Sequence, residues 1–194
     1  MTTFDFYQKN SLKFYNSTVD VDAQALYKFF LPLIPSGGHI LDAGCGSGRD
    51  ARAFIDRGYK VTAFDASATL AAMAAQLTEQ PVETCLFDEF QTIRWFDGVW
   101  ACASLLHVPY AELAATINHL AGFLVPGGYF YCSFKHGRGE VLRDGRHFTY
   151  MDEAQLQDLL GSTDLWVHTS WITHDLRPER AAEQWLNVIL ARDA

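Results

Sequence analysis

The chain has 194 residues, 49% of them hydrophobic and 20% charged, which is the composition of one ordinary globular domain rather than of a disordered segment. Its 23 acidic and 15 basic side chains give a formal net charge of -8, and the one mixed basic stretch, residues 138–146, also carries Glu140 and Asp144. Such a surface repels phosphate backbones, so nucleic acid is not the expected partner.

The first residues show no basic segment leading into an apolar run, and no apolar run anywhere reaches the ~18 residues of a membrane span. No signal peptide or membrane partner is therefore expected, and the expected location is cytoplasmic. Residues 1–36 read as an N-terminal helical cap or lid before one globular unit over 37–194. Asp20 or Asp22 is placed to cap a helix through Ala25, Leu26, Phe29 and Phe30, which Pro32 and Pro35 end. Strands and helices then alternate. Residues 39–42 form a short buried strand, 44–48 a glycine turn, and Ala51, Phe54 and Ile55 one face of a helix that stops at Gly58. A second strand covers 59–65, and Ser67 caps a helix from Ala68 to about Gln80. Third and fourth strands cover 82–87 and 96–101. Pro109 opens a helix bearing Leu113, Ile117, Leu120 and Leu124. A type II turn at 125–128 leads to a fifth strand over 129–134. Residues 139–150 read as a polar loop and 151–160 as a short helix. The last strands, 165–171 and 185–191, are joined by a polar segment without a clear helix and so pair antiparallel. Alternating β and α elements imply a doubly wound parallel sheet with helices on both faces, whose ligands bind at the strands' carboxyl ends.

The turn Asp42-Ala43-Gly44-Cys45-Gly46-Ser47-Gly48 lies between a strand and a helix, where glycines let backbone approach a ligand. Dinucleotide folds space these glycines as GxGxxG to seat a pyrophosphate on helix amides. Here the spacing is GxGxG with an acid two residues ahead. A carboxylate repels pyrophosphate but favours the amino end of a methionine moiety, so Asp42 points to S-adenosylmethionine. Asp65, 23 residues after Asp42 and at the end of the second strand, is placed to accept both ribose hydroxyls. Asp88, after the third strand, is placed to accept from an adenine amino group. Each acid taken singly also fits a solvated loop position or a helix cap.

These stretches resemble the core of class I S-adenosylmethionine-dependent methyltransferases. The likeness covers residues 37–135 and rests on 40–48, 61–67, 96–100 and 120–128. It implies a Rossmann-like, seven-stranded, mostly parallel sheet with an antiparallel C-terminal strand. It also implies a cofactor site of Asp42, Ala43, Gly44, Cys45, Gly46, Gly48, Asp65, Ala66, Ser67, Phe87, Asp88, Ala101, Cys102, Ala103 and Leu106. Phe14-Tyr15 would close over it, with Tyr15 in contact. Residues 100–107, 133–135 and 145–149 more narrowly resemble the tellurite-resistance-related methyltransferases.

Methyl transfer needs an in-line nucleophile and no universal catalytic side chain, since positioning alone supplies ~7–11 kcal/mol. The Asn/Asp-Pro-Pro-Tyr pattern of amino-methylating DNA enzymes and the Pro-Cys pair of cytosine-C5 enzymes are absent. The four cysteines form no CxxC pair and the seven histidines no HxH or HxxxH pair, so no metal is expected. Cys45 reads as a backbone contact rather than a nucleophile. The expected acceptor is a small molecule, anionic or a metalloid, held by Lys135 and Arg146 with His107 as general base. Surface pairing of Lys135 and Arg146 with Asp144, Glu140 or Asp152 is the plainer alternative. A non-catalytic S-adenosylmethionine-binding module and a nicotinamide-dependent oxidoreductase are the competing functions. The residues leave the oligomeric state open.

Overall fold

The computed structural model describes residues 2–177 and 180–193. Helix α1 (Thr3–Thr18) starts at a reciprocal cap. Thr2 accepts from the Asp5 N–H, and the Asp5 carboxylate accepts from the Thr2 N–H. The cap residue of helix α2 (Gln24–Phe30) is Ala23, and Asp22 just ahead of it accepts from the Gln24 N–H at 2.8 Å. Six further elements follow: β1 (His39–Ala43), α3 (Arg49–Ile55), β2 (Lys60–Asp65), α4 (Ala68–Thr78), β3 (Val82–Thr84) and β4 (Phe96–Ala101). Ser67 caps α4 as its sequence position predicts.

The second half holds α5 (Tyr110–Ala121), β5 (Leu124–Lys135), β6 (Glu140–Arg143), β7 (Arg146–Thr149), α6 (Glu153–Leu160), β8 (Leu165–His174) and β9 (Gln184–Arg192). Three expectations need correction. Helix α5 ends at Ala121, and Leu124 and the expected turn at 125–128 belong to β5. Residues 139–150 are not a loop; β6 and β7 pair antiparallel across Asp144-Gly145, both at positive φ. The third strand is shorter than expected, ending at Thr84 instead of Phe87.

The seven-stranded sheet runs in the order β3-β2-β1-β4-β5-β9-β8. Strand β9 is antiparallel to both neighbours, and the pairings from β3 to β5 are parallel, as expected. Side chains alternate across the sheet. Ile40, Trp100, Tyr131 and Ile189 face α2 and α3 with Phe30 and Phe54. Leu41, Val99, Phe130 and Leu190 face α5 and α6 with Leu113, Ile117 and Leu156. Each such buried side chain contributes roughly 2 kcal/mol over its exposed state. Chain order reverses between β1 and β4, which opens a crevice at their carboxyl ends. The glycine turn after β1 and the segment after β4 both enter it.

Candidate functional site

A cavity of about 460 Å³ fills that crevice. The glycine turn forms one wall. Its amides are already used inside the protein: Gly44 and Cys45 donate to the Phe64 carbonyl at 3.0 Å, and Gly46 donates to Asp65 Oδ2 at 2.8 Å. The other Asp65 oxygen accepts from the Ser67 N–H at 2.8 Å. Asp65 therefore ties the turn to the start of α4. Burial raises its pKa, opposed by those two amides. Each oxygen keeps further acceptor capacity.

Asp42 is the least satisfied group here. It is 2% exposed, its Oδ2 has no hydrogen-bond partner, and burial with the nearby Asp50 charge raises its pKa well above the usual carboxylate range. Asp50 behaves in the opposite way. Burial pushes its carboxyl up, but Arg49 and two donors outweigh this and hold it below the ordinary value. Those donors are Tyr27 Oη at 2.5 Å and Trp100 Nε1 at 2.8 Å, and Arg49 Nε lies at 2.6 Å. Trp100 is thus core, with its indole N–H satisfied.

Behind the turn, Ala103 takes a left-handed φ of 52°, uncommon for a residue with a Cβ and frequent at functional sites. Its N–H donates to Ser133 Oγ at 2.9 Å, and Ser104 Oγ donates to the Ala43 carbonyl at 2.8 Å. Burial pushes the Cys102 thiol up to about 12 and raises Cys45 well above the thiol range. Neither is a thiolate nucleophile at neutral pH.

The far end of the cavity brings together His107, Lys135 and Arg146. Lys135 is 4% exposed and paired with Glu183, a partner none of the sequence alternatives named. Burial lowers its pKa, and Glu183 opposes this. The Arg146 guanidinium lies 4.1 Å from the Phe6 ring centroid and 5.1 Å from that of Phe148, with Asp144 at 3.6 Å. Its Nε is buried without a hydrogen-bond partner. Burial drives the His107 pKa down to about 4.

Ten of the residues expected from the sequence line the cavity: Asp42, Gly44, Cys45, Gly46, Cys102, Ala103, Leu106, His107, Lys135 and Arg146. The others are not part of its lining. Ala43 and Ala101 are buried at strand ends, Ala66 and Phe87 are half-buried, and Asp88 is exposed. Gly48 is packed on Ala74, and Ser67 Oγ donates to Gln8 of α1 at 2.9 Å. On α1, Phe14 rather than Tyr15 meets the turn: a Cβ on Gly46 would sit 3.0 Å from the Phe14 ring. Sequence reading missed Tyr7, Arg49 and Asp50, and the basic Arg177 and Arg180 before β9. The spacing of Phe6, Asn10 and Phe14, one face of a helix, was the available signal for the α1 side.

A family model described as "Methyltransferase domain" matches residues 15–168. No curated protein matches the chain. Among solved structures, 1,6-didemethyltoxoflavin-N1-methyltransferase of Burkholderia thailandensis, with bound S-adenosylhomocysteine, is 21% identical with a TM-score of 0.75, over 98% of this chain and 86% of its own. The N-methyltransferase NodS of Bradyrhizobium japonicum WM9, also with S-adenosylhomocysteine, is 16% identical with a TM-score of 0.76 over 100% of both chains. The [4+2]-cyclase SpnF is 15% identical with a TM-score of 0.76, over 100% of this chain and 97% of its own. The fold is thus shared by proteins whose named reactions differ.

Proposed function

The chain belongs to the methyltransferase-domain family, and from that premise we propose that it transfers a methyl group from S-adenosylmethionine to a small anionic acceptor. The observation that carries this reading is one cavity with an unpartnered buried carboxylate oxygen at one end and an unpartnered buried guanidinium nitrogen at the other. An ammonium group beside Asp42 Oδ2 would supply the missing donor, and its charge would oppose the burial that raises the Asp42 pKa. Asp65 has acceptor capacity left for ribose hydroxyls, and this reading assigns the adenine to Phe87, whose ring lies beside Gly44, and to Asp88. When bound, the cofactor supplies an electrophilic methyl group on a sulfonium.

The protein's part is to seat the acceptor and exclude water. Six basic side chains line the cavity against four acidic ones, in a chain of net charge -8. That local reversal favours an anion, with Arg146 Nε as its first donor. His107 is the basic nitrogen at that end. The segment 1–36 acts as a lid, because Phe14 covers the turn and Gln8 bonds Ser67 and Thr69. The narrower likeness to tellurite-resistance-related proteins adds a metalloid oxyanion as a candidate acceptor.

The test has two arms. Calorimetry with S-adenosylhomocysteine should give saturable binding, with slower hydrogen exchange over 3–18. Labelled methyl from S-adenosylmethionine should then enter the anionic fraction of a metabolite extract, with tellurite run separately. Binding without transfer to any fraction would identify a non-catalytic module instead.

A further inference from the structure

Tyr7 projects from α1 into the acceptor end, ahead of the region that the family model matches. Its hydroxyl lies 2.8 Å from His107 Nε2, and the two rings meet edge to face at 5.3 Å. The second imidazole nitrogen, Nδ1, lies 2.7 Å from the His147 carbonyl oxygen. A carbonyl only accepts, so Nδ1 carries the hydrogen and Nε2 offers its lone pair. Tyr7 must then be the donor to Nε2, which leaves the lone pairs of its own oxygen for another donor. Arg146 takes one of these by a side-chain hydrogen bond, and its charge also opposes the effect of burial on the hydroxyl.

We propose that Tyr7 is a catalytic residue whose hydroxyl oxygen takes the proton from an O–H or N–H nucleophile of the anionic acceptor, while its own proton passes to His107 Nε2. The proposal rests on the methyl-transfer reading above and narrows its substrate class. The bond from the nucleophile to hydrogen breaks, and its electron pair forms the new bond to the methyl carbon. The carbon–sulfur bond breaks with its pair going to sulfur, which becomes a neutral thioether. The positive charge passes from sulfonium to the His107 imidazolium, whose Nδ1–H still donates to His147. That proton leaves to water when the site opens. Burial most of all, and then the charges of Arg146, His147 and Lys135, disfavour the imidazolium. An acceptor anion lying against Arg146 offsets the charge part of this, so the relay works best with an anion in place. Such a relay has no use for an acceptor that attacks through a lone pair with no proton to lose, such as a thioether or a tellurite centre.

Tyr7→Phe keeps the ring that packs on Phe14 and removes only the hydroxyl. The experiment measures labelled-methyl transfer from S-adenosylmethionine to the fraction that the wild type labels, across pH 6–9, with S-adenosylhomocysteine affinity measured alongside. We expect turnover to fall at least about 100-fold, affinity to stay within about twofold, and the variant's residual rate to climb with pH as hydroxide replaces the relay. Methyl found on oxygen or nitrogen of an anionic product agrees with the proposal. Unchanged turnover overturns it. So does a joint loss of turnover and cofactor affinity with the wild-type pH profile, which would mean that Tyr7 only fastens α1. A wild type that labels no fraction refutes the methyl-transfer reading itself, and is distinct from those results.

Discussion

Two ion pairs of similar length have very different weight at the scale of single residues. Arg52 Nε and Asp56 Oδ1 are 2.9 Å apart on an exposed helix surface, where solvent screens them and side-chain entropy opposes them. Arg49 and Asp50 are 2.6 Å apart, with side chains 19% and 8% exposed. Asp50 also accepts from the buried Tyr27 hydroxyl and Trp100 indole. Replacing it removes the charge that offsets Arg49 and leaves buried donors without an acceptor of full strength. Asp50→Asn should therefore destabilise the protein by about 3 kcal/mol, read as a lower urea midpoint at unchanged slope. Asp56→Asn should leave the midpoint unmoved. Equal effects would show that the buried network carries no special weight.

The glycine turn shows at the scale of elements how one motif holds residues with different duties. Gly46 faces Phe14 and the cavity. Gly48 has φ 78°, and a Cβ there would lie 2.8 Å from Ala74 Cβ and 2.9 Å from Ala74 Cα, so it seats α3 against α4. Gly127 has nearly the same φ, 75°, with nothing within 4 Å. Gly127→Ala should cost about 1 kcal/mol for the backbone alone. Gly48→Ala should cost at least about 2 kcal/mol more, since helix backbone must shift. Thermal melts of the two variants decide this, and equal losses would mean that α4 yields freely. Such a turn is legible in a sequence because strand, glycines and helix are contiguous. So are the mostly apolar run of β9 and the apolar face of α5. The rest of the site is not. Tyr7 meets His107 across 100 positions and Lys135 meets Glu183 across 48. No local period records either meeting. The β6–β7 hairpin was hidden for a different reason: its strands are four residues each, and β6 is exposed throughout, so no apolar alternation marks it.

Across the whole molecule, enclosing an ionisable cavity links its chemistry to stability. His107 serves as the neutral base at its far end, and burial depresses its folded pKa to about 4, from an ordinary value of 6.5. The hydrogen bond to the His147 carbonyl favours the charged form, but burial together with Arg146, His147 and Lys135 outweighs it. The unfolded chain therefore binds a proton at His107 between about pH 6.5 and 4 that the folded chain does not. Stability falls as pH drops through that window and levels off, for this group, below it. At 1.36 kcal/mol per unit of pKa, the loss is on the order of 3 kcal/mol. Carboxylates that ionise more readily when folded add their own acid loss, and His39, also depressed by burial, contributes in the same sense as His107. The total slope is thus uninformative by itself, and the comparison of variants isolates the group. His107→Gln should start less stable at pH 7, having lost the bonds to Tyr7 and His147, and should then lose less on acidification to pH 4. Urea unfolding of both proteins at four or five pH values gives the two slopes. Parallel curves would mean that His107 titrates normally in the folded protein. Burial would then not be what keeps the imidazole beside Tyr7 neutral in mild acid.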